Sequence, residues 1–135
     1  MQKIITLLLA STLTLNAKDY ENPEKFIVKT ARVTYYWPGN GGQVGTITAT
    51  GKRAVCGQSA AVDPKIIPYG SEIYIPRMGK VLEAVDTGSA VKSRTASKKL
   101  GRDNIVIDVF CASRADAMRR IKKYPMFMTI YVEKR

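Results

Sequence analysis

Three aspartates stand beside the most apolar segments of the chain: Asp63 in AVDPKIIP, Asp86 in EAVDTGS and Asp108 in IVIDVF. Burying an ionised carboxylate is costly unless its pKa rises or it finds partners. Carboxylates placed there therefore point to acid/base work. The sequence contains no histidine. That removes the usual base of serine and cysteine hydrolases and a usual ligand of zinc hydrolases, and a Ser–Lys dyad has no motif here. Carboxylates, lysines and tyrosines remain as acid/base groups, and glycoside cleavage is the commonest reaction that carboxylates run alone. No metal and no cofactor is expected, because Cys56 and Cys111 without histidine make a thin ligand set. Whether those two cysteines pair in an oxidising compartment is left open by the sequence.

Asp108 is the sharpest of the three. Neighbours in a strand alternate faces, so Ile105, Ile107 and Val109 share one face and Val106, Asp108 and Phe110 the other. If the second face lines a pocket, apolar neighbours raise the Asp108 pKa and keep it protonated near neutral pH. The plain alternative is a turn cap or an ion pair with one of the many Lys and Arg residues. Asp86, opening D-T-G-S, also fits a strand end bonded to turn amides, and Asp63 before proline fits a turn start. Asp103, a fourth aspartate, reads as a loop residue.

The elements that must hold these residues read as short strands. Phe26 to Trp37, rich in β-branched and aromatic residues, reads as one or two strands. Further strands are predicted at Gly45–Thr50, Ser71–Pro76, Val81–Asp86, Ile105–Phe110 and Met126–Val132, between turns rich in Gly and Pro. Ser113 to Pro125 reads as the single helix, with Ser113 as N-cap, Asp116 completing a capping box, and Ala117, Met118 and Ile121 on one face. This pattern predicts a small closed β-barrel.

Residues 1–17 read as a secretory signal peptide: Lys3, then an apolar stretch from Ile4 to Leu15, then Ala17 at the cleavage position. The stretch is shorter than the ~20 residues of a membrane span. Residues 18–25 read as a short polar linker and 26–135 as one domain. The formal net charge is +11, from 22 Lys+Arg against 11 Asp+Glu, which favours an anionic partner. Export leaves an acidic membrane surface or wall polymer and takes nucleic acid out of the set.

AVDPKIIPYGSEIYIP, AVDTGSAVK and IDVF occur in that order, with VTYY and TATG upstream. The set resembles the three-aspartate (3D) domain family over about residues 28–133. That family is related to membrane-bound lytic transglycosylase A and to stationary-phase survival proteins of the resuscitation-promoting-factor type. More distantly it is similar to the rare lipoprotein A, expansin and barwin group. The resemblance implies a mainly β fold, a six-stranded double-psi β-barrel with one α-helix in the C-terminal half. It implies a secreted or periplasmic, cell-wall-associated lytic transglycosylase, monomeric and metal-independent. Such an enzyme cuts the β-1,4 bond between N-acetylmuramic acid and N-acetylglucosamine and leaves a 1,6-anhydromuramic end.

By position, Asp108 is implied as acid and base in turn, Asp86 as the group that orients and polarises the site, and Asp63 as completing a carboxylate cluster. Tyr35, Thr48 and Lys92 are implied as substrate contacts on peptidoglycan glycan strands. The alternative is a non-catalytic, expansin-like domain that binds wall polysaccharide. One feature departs from the family pattern. Asp86 and Asp108 lie 22 residues apart, roughly ten more than in many members. The extra piece carries Arg94, Lys98, Lys99 and Arg102, and residues 92–102 are expected to form a basic lip for an anionic wall polymer.

Overall fold

The computed structural model describes residues 20, 22–39 and 46–134; the expected signal peptide, 1–17, lies outside the described residues. Six strands follow one another along the chain: β1 (Phe26–Tyr36), β2 (Ser59–Ala61), β3 (Glu72–Ile75), β4 (Lys80–Asp86), β5 (Val106–Phe110) and β6 (Phe127–Glu133). They close into a barrel in the order β1-β5-β2-β4-β3-β6. β1 is one continuous strand that serves two partners. Its first part, Phe26 to Arg32, runs antiparallel to β6, and its second, Arg32 to Tyr36, runs parallel to β5. A second parallel pair joins β2 to β4. The mainly β, six-stranded barrel expected from the sequence is thus present.

The interior follows the period-2 rule strand by strand. Ala31 and Val33, Ile73 and Ile75, Leu82 and Ala84, Ile107 and Val109, and Met128, Ile130 and Val132 all point inward and are buried. Each fully buried branched side chain contributes about 1.5–3 kcal/mol. Closure leaves no free sheet edge. Residues in the segment read as a linker also pack on the barrel. Tyr20 is buried, stacks on Tyr74 with ring centroids 4.1 Å apart and lies 4.9 Å from Phe26.

Two expected elements differ. The Gly45–Thr50 stretch is not a strand over its described part; it forms a turn with one isolated bridge, Ile47 to Arg53. The missing strand is β2, Ser-Ala-Ala, whose small residues carry little β-propensity but are paired on both sides, by β4 and β5. Tertiary pairing overrides propensity there.

Over residues 46–134, three helices stand where one was expected. The predicted one is α3 (Arg114–Lys123), once the two four-residue helices α1 (Ser89–Lys92) and α2 (Thr95–Lys98) are counted ahead of it. The Ser113 hydroxyl caps α3 by accepting from the Asp116 N–H at 3.2 Å, as its sequence foretells. α1 and α2 fold out of the basic segment. Arg94, with φ 59°, reverses the chain between them, and its guanidinium donates to the Asp103 carbonyl at 2.7 Å. The buried Ser97 hydroxyl donates to the Asn104 carbonyl at 2.7 Å and closes the insertion onto β5. Both cysteines are thiols, Cys56 exposed and Cys111 buried. Among the described residues no helix is long and apolar enough to cross a membrane.

Candidate active site

A row of residues crosses four adjacent strands on the outside of the barrel. Thr34 on β1 is in register with Asp108 on β5, Asp108 with Ala61 on β2, and Ala61 with Asp86 on β4. Residues in register share a face, and neighbouring strands lie about 4.8 Å apart. The two aspartates are therefore two strands apart, and only the methyl group of Ala61 stands between them. Ala61, Val106, Phe110 and Tyr36 form a second apolar cluster with Val91 of α1, beneath the inserted helices.

Asp86 reaches this face through an irregularity. Leu82 and Ala84 point into the barrel, so strict alternation would send Asp86 inward too. The register shifts between Ala60, opposite Ala84, and Ala61, opposite Asp86, so that Val85 is skipped. Such a bulge re-aims the next side chain. It turns Asp86 outward beside Asp108. D-T-G-S then leads directly into α1.

Asp108 is held at one oxygen. The Thr34 hydroxyl donates to its Oδ1 at 2.9 Å, and Oδ2 has no protein hydrogen bond among the described residues. The carboxyl opens on a groove of about 390 Å³. Arg32, Thr34, Val106 and Asp108 line one side of it, and Ala90, Val91, Thr95 and Ala96 of the inserted helices, with Lys99 and Leu100 just past α2, line the other. Burial pushes the Asp108 pKa up to about 6; the charge of Asp86 adds to the rise, and the Thr34 bond opposes it.

Asp86 is held at both oxygens. The Tyr36 hydroxyl donates to Oδ2 at 2.8 Å and the Ala49 N–H to Oδ1 at 2.9 Å. Tyr36 lies edge-on to Phe110, with centroids 5.3 Å apart. Its hydroxyl resists ionisation because of burial, then its bond to Asp86, then the charges of both carboxylates. Tyr36→Phe is expected to cost about 1.5–3 kcal/mol, because it removes a hydrogen bond to a buried charged acceptor. A shift of the urea midpoint checks this, and an unchanged midpoint would mean that water takes over the bond.

The residues expected from the sequence divide into those that meet and those that do not. Asp86 and Asp108 meet. Asp63 does not join them. Its Oδ1 accepts from the Lys65 N–H at 3.0 Å and its carbonyl accepts from Ile66 and Ile67, so it builds the turn that Pro64 begins. It borders a separate small cavity with Ile66, Ile67 and Arg94. The three-carboxylate cluster is a pair plus a turn aspartate.

Tyr35 borders the groove but packs against the barrel core. Burial pushes its hydroxyl up to about 12, and Cys111, Arg120 and Tyr124, not the aspartates, lead the charges that act on it. Tyr36, one residue on, is the tyrosine at the carboxylate pair. Thr48 is buried, and its hydroxyl is spent on the Lys52 carbonyl at 2.8 Å and Thr50 Oγ1 at 3.1 Å. It shapes the turn that presents the Ala49 N–H, a turn closed by Gly51 at φ +89°, where only glycine sits without strain. Lys92 is exposed at the end of α1 and is not among the groove residues.

The basic lip is only partly realised. Arg94 is committed to Asp103, and Arg102 lies 4.1 Å from the Phe127 ring centroid. Lys99 alone of the four expected cations borders the groove. Sequence reading missed Thr34, Tyr36 and Ala61. The parity of β1 could have found the first two: with Ala31 and Val33 inward, Thr34 and Tyr36 share the outer face.

Residues 58–132 match the family model described as the 3D domain. The cell wall-binding protein YocH of Bacillus subtilis (strain 168) is 36% identical over 91 residues, 65% of this chain and 27% of that protein. The chain thus spans about a quarter of that relative's length. Among solved structures, MltA of E. coli with bound chitohexaose is 19% identical, covering 67% of this chain and 28% of that one with a TM-score of 0.45. The lytic transglycosylase LtgG of Burkholderia pseudomallei is 22% identical, covering 66% and 26% with a TM-score of 0.43.

Proposed function

The chain belongs to the 3D domain family, and from that premise we propose that it cleaves peptidoglycan as a lytic transglycosylase at the Asp108 groove, outside the cell membrane. One observation carries the reading. Asp108 is a largely buried carboxyl with a pKa near 6, one oxygen fixed by Thr34 and the other facing a groove. With Oδ1 engaged as an acceptor, the proton of the neutral acid sits on Oδ2, where a glycosidic oxygen can reach it. Protonation of that oxygen breaks the bond to C1 of the muramic residue. The Asp108 carboxylate then takes the proton of the C6 hydroxyl as O6 bonds to C1, so the 1,6-anhydro ring forms and no water is consumed. Asp86, unable to swing because both its oxygens are held, keeps a fixed negative charge two strands away. That charge favours the neutral form of Asp108 and the oxocarbenium-like transition state.

The pH dependence of peptidoglycan solubilisation tests the reading. The reaction starts from protonated Asp108, so the rate is expected to fall as pH rises through about 6. A rate that stays flat from pH 5 to 8 would contradict Asp108 as the acid. A second reading, wall binding without cleavage, is favoured by the description of YocH as a cell wall-binding protein. It predicts sedimentation with insoluble wall material and no soluble product at any pH.

A further inference from the structure

The proposed chemistry uses Thr34, Asp108, Asp86 and Tyr36, and leaves two cations of the groove unexplained. Arg32 lies two residues before Thr34 on β1, in register with Val106. It therefore stands on the same outer face, one pleat repeat or about 7 Å along from the Thr34–Asp108 row. Its Nη1 donates to the Val33 carbonyl at 2.9 Å, but its buried Nε has no hydrogen-bond partner. No carboxylate pairs with it among the described residues. Lys99, exposed on the inserted helical segment, lines the same groove from the opposite side. Neither cation is among the groups that set the Asp108 pKa. Both border the one groove that Asp108 opens on. Arg32 borders the groove with no carboxylate paired to it among the described residues, and a carboxylate is the acceptor that matches a guanidinium best.

We infer that Arg32 and Lys99 form an anion subsite that grips a carboxylate of the glycan strand beside the scissile bond. This rests on the peptidoglycan reading and names what that site selects. Peptidoglycan offers such a carboxylate from two sources, the lactyl group of a peptide-free muramic residue and the acidic residues of a stem peptide. An N-acetylglucosamine hexamer offers none.

The test is binding in the Asp108→Asn background, where turnover does not interfere, with three probes: peptide-free strands, peptide-bearing strands and the uncharged hexamer. Adding Arg32→Gln is expected to weaken strand binding about tenfold, as loss of one charge-assisted hydrogen bond does, and to leave hexamer affinity unchanged. Lys99→Gln, at an exposed turn position just past α2, gives the same direction without risk to folding. A loss on peptide-free strands assigns the carboxylate to the muramic residue; a loss confined to peptide-bearing strands assigns it to the stem. Equal affinity of parent and variants for all three probes, or an equal loss on the hexamer, overturns the subsite while leaving the peptidoglycan reading intact. Absence of all glycan binding by the parent overturns both.

Discussion

Asp108→Asn is expected to lose about 10²- to 10⁴-fold of the peptidoglycan-solubilising rate, the usual contribution of a positioned general acid, and to be more stable than the parent at neutral pH. The two effects share one cause. The folded pKa of Asp108, about 6, lies above its ordinary 3.8, so folding disfavours the ionised form. A carboxyl with a raised pKa destabilises the fold above its folded pKa, and the penalty is relieved as pH falls through about 6 toward 3.8. About two units correspond to an upper bound on the order of 3 kcal/mol. Asparagine is uncharged throughout and can still accept from Thr34. Its advantage should therefore be largest above pH 7 and vanish near pH 4, which urea midpoints measured across that range will read. Equal stability of both proteins at every pH would mean that burial does not set this pKa.

Asp86→Ala is expected to move stability the other way. The change orphans one buried donor, the Tyr36 hydroxyl, at about 1–3 kcal/mol; the N–H of exposed Ala49 also loses its partner but can turn to water. It also removes the side-chain tie between the Thr48–Gly51 turn and the site, leaving the Thr50 N–H bond to the Val85 carbonyl at 3.2 Å, so solubilisation should fall with stability. Asp86→Asn separates charge from scaffolding. It keeps an oxygen for the Ala49 N–H but removes the negative charge that helps to raise the Asp108 pKa. The alkaline limb of its pH–rate profile should then lie at lower pH than the parent's. An unmoved limb with reduced rate would assign Asp86 to scaffolding alone. The opposite stability signs for two aspartates in one row follow from their partners: Asp86 is fully hydrogen-bonded, Asp108 only at one oxygen.

Much of this was legible in residues 105–110. Alternation put Ile107 and Val109 on one face and Val106, Asp108 and Phe110 on the other, and the barrel keeps that division, with Ile107 and Val109 inside. The ordered motifs also pointed to a closed barrel of six strands. The resemblance singled out Asp86, but its direction was not legible, because it depends on a bulge at Val85 that no local pattern announces. Asp63 carries the same Val-Asp signature, yet Pro64 and the Lys65 N–H turn it into a turn residue. β2 was hidden because Ser-Ala-Ala is a strand only through its neighbours, while the more strand-like Thr-rich stretch before Gly51 is bent into the turn that serves Asp86. The inserted helices were invisible for a related reason. Four-residue helices have little periodicity to read, and these are closed by Ser97 and Arg94 bonds to the chain entering β5.

The central claim is that Asp108 cleaves a glycan strand without water. Mass spectrometry of purified peptidoglycan digested by the chain, beside Asp108→Asn, tests it most directly. The account predicts muropeptides ending in 1,6-anhydromuramic acid from the parent and none from the variant. Reducing-end products from the parent, or anhydro products from both proteins, would contradict it.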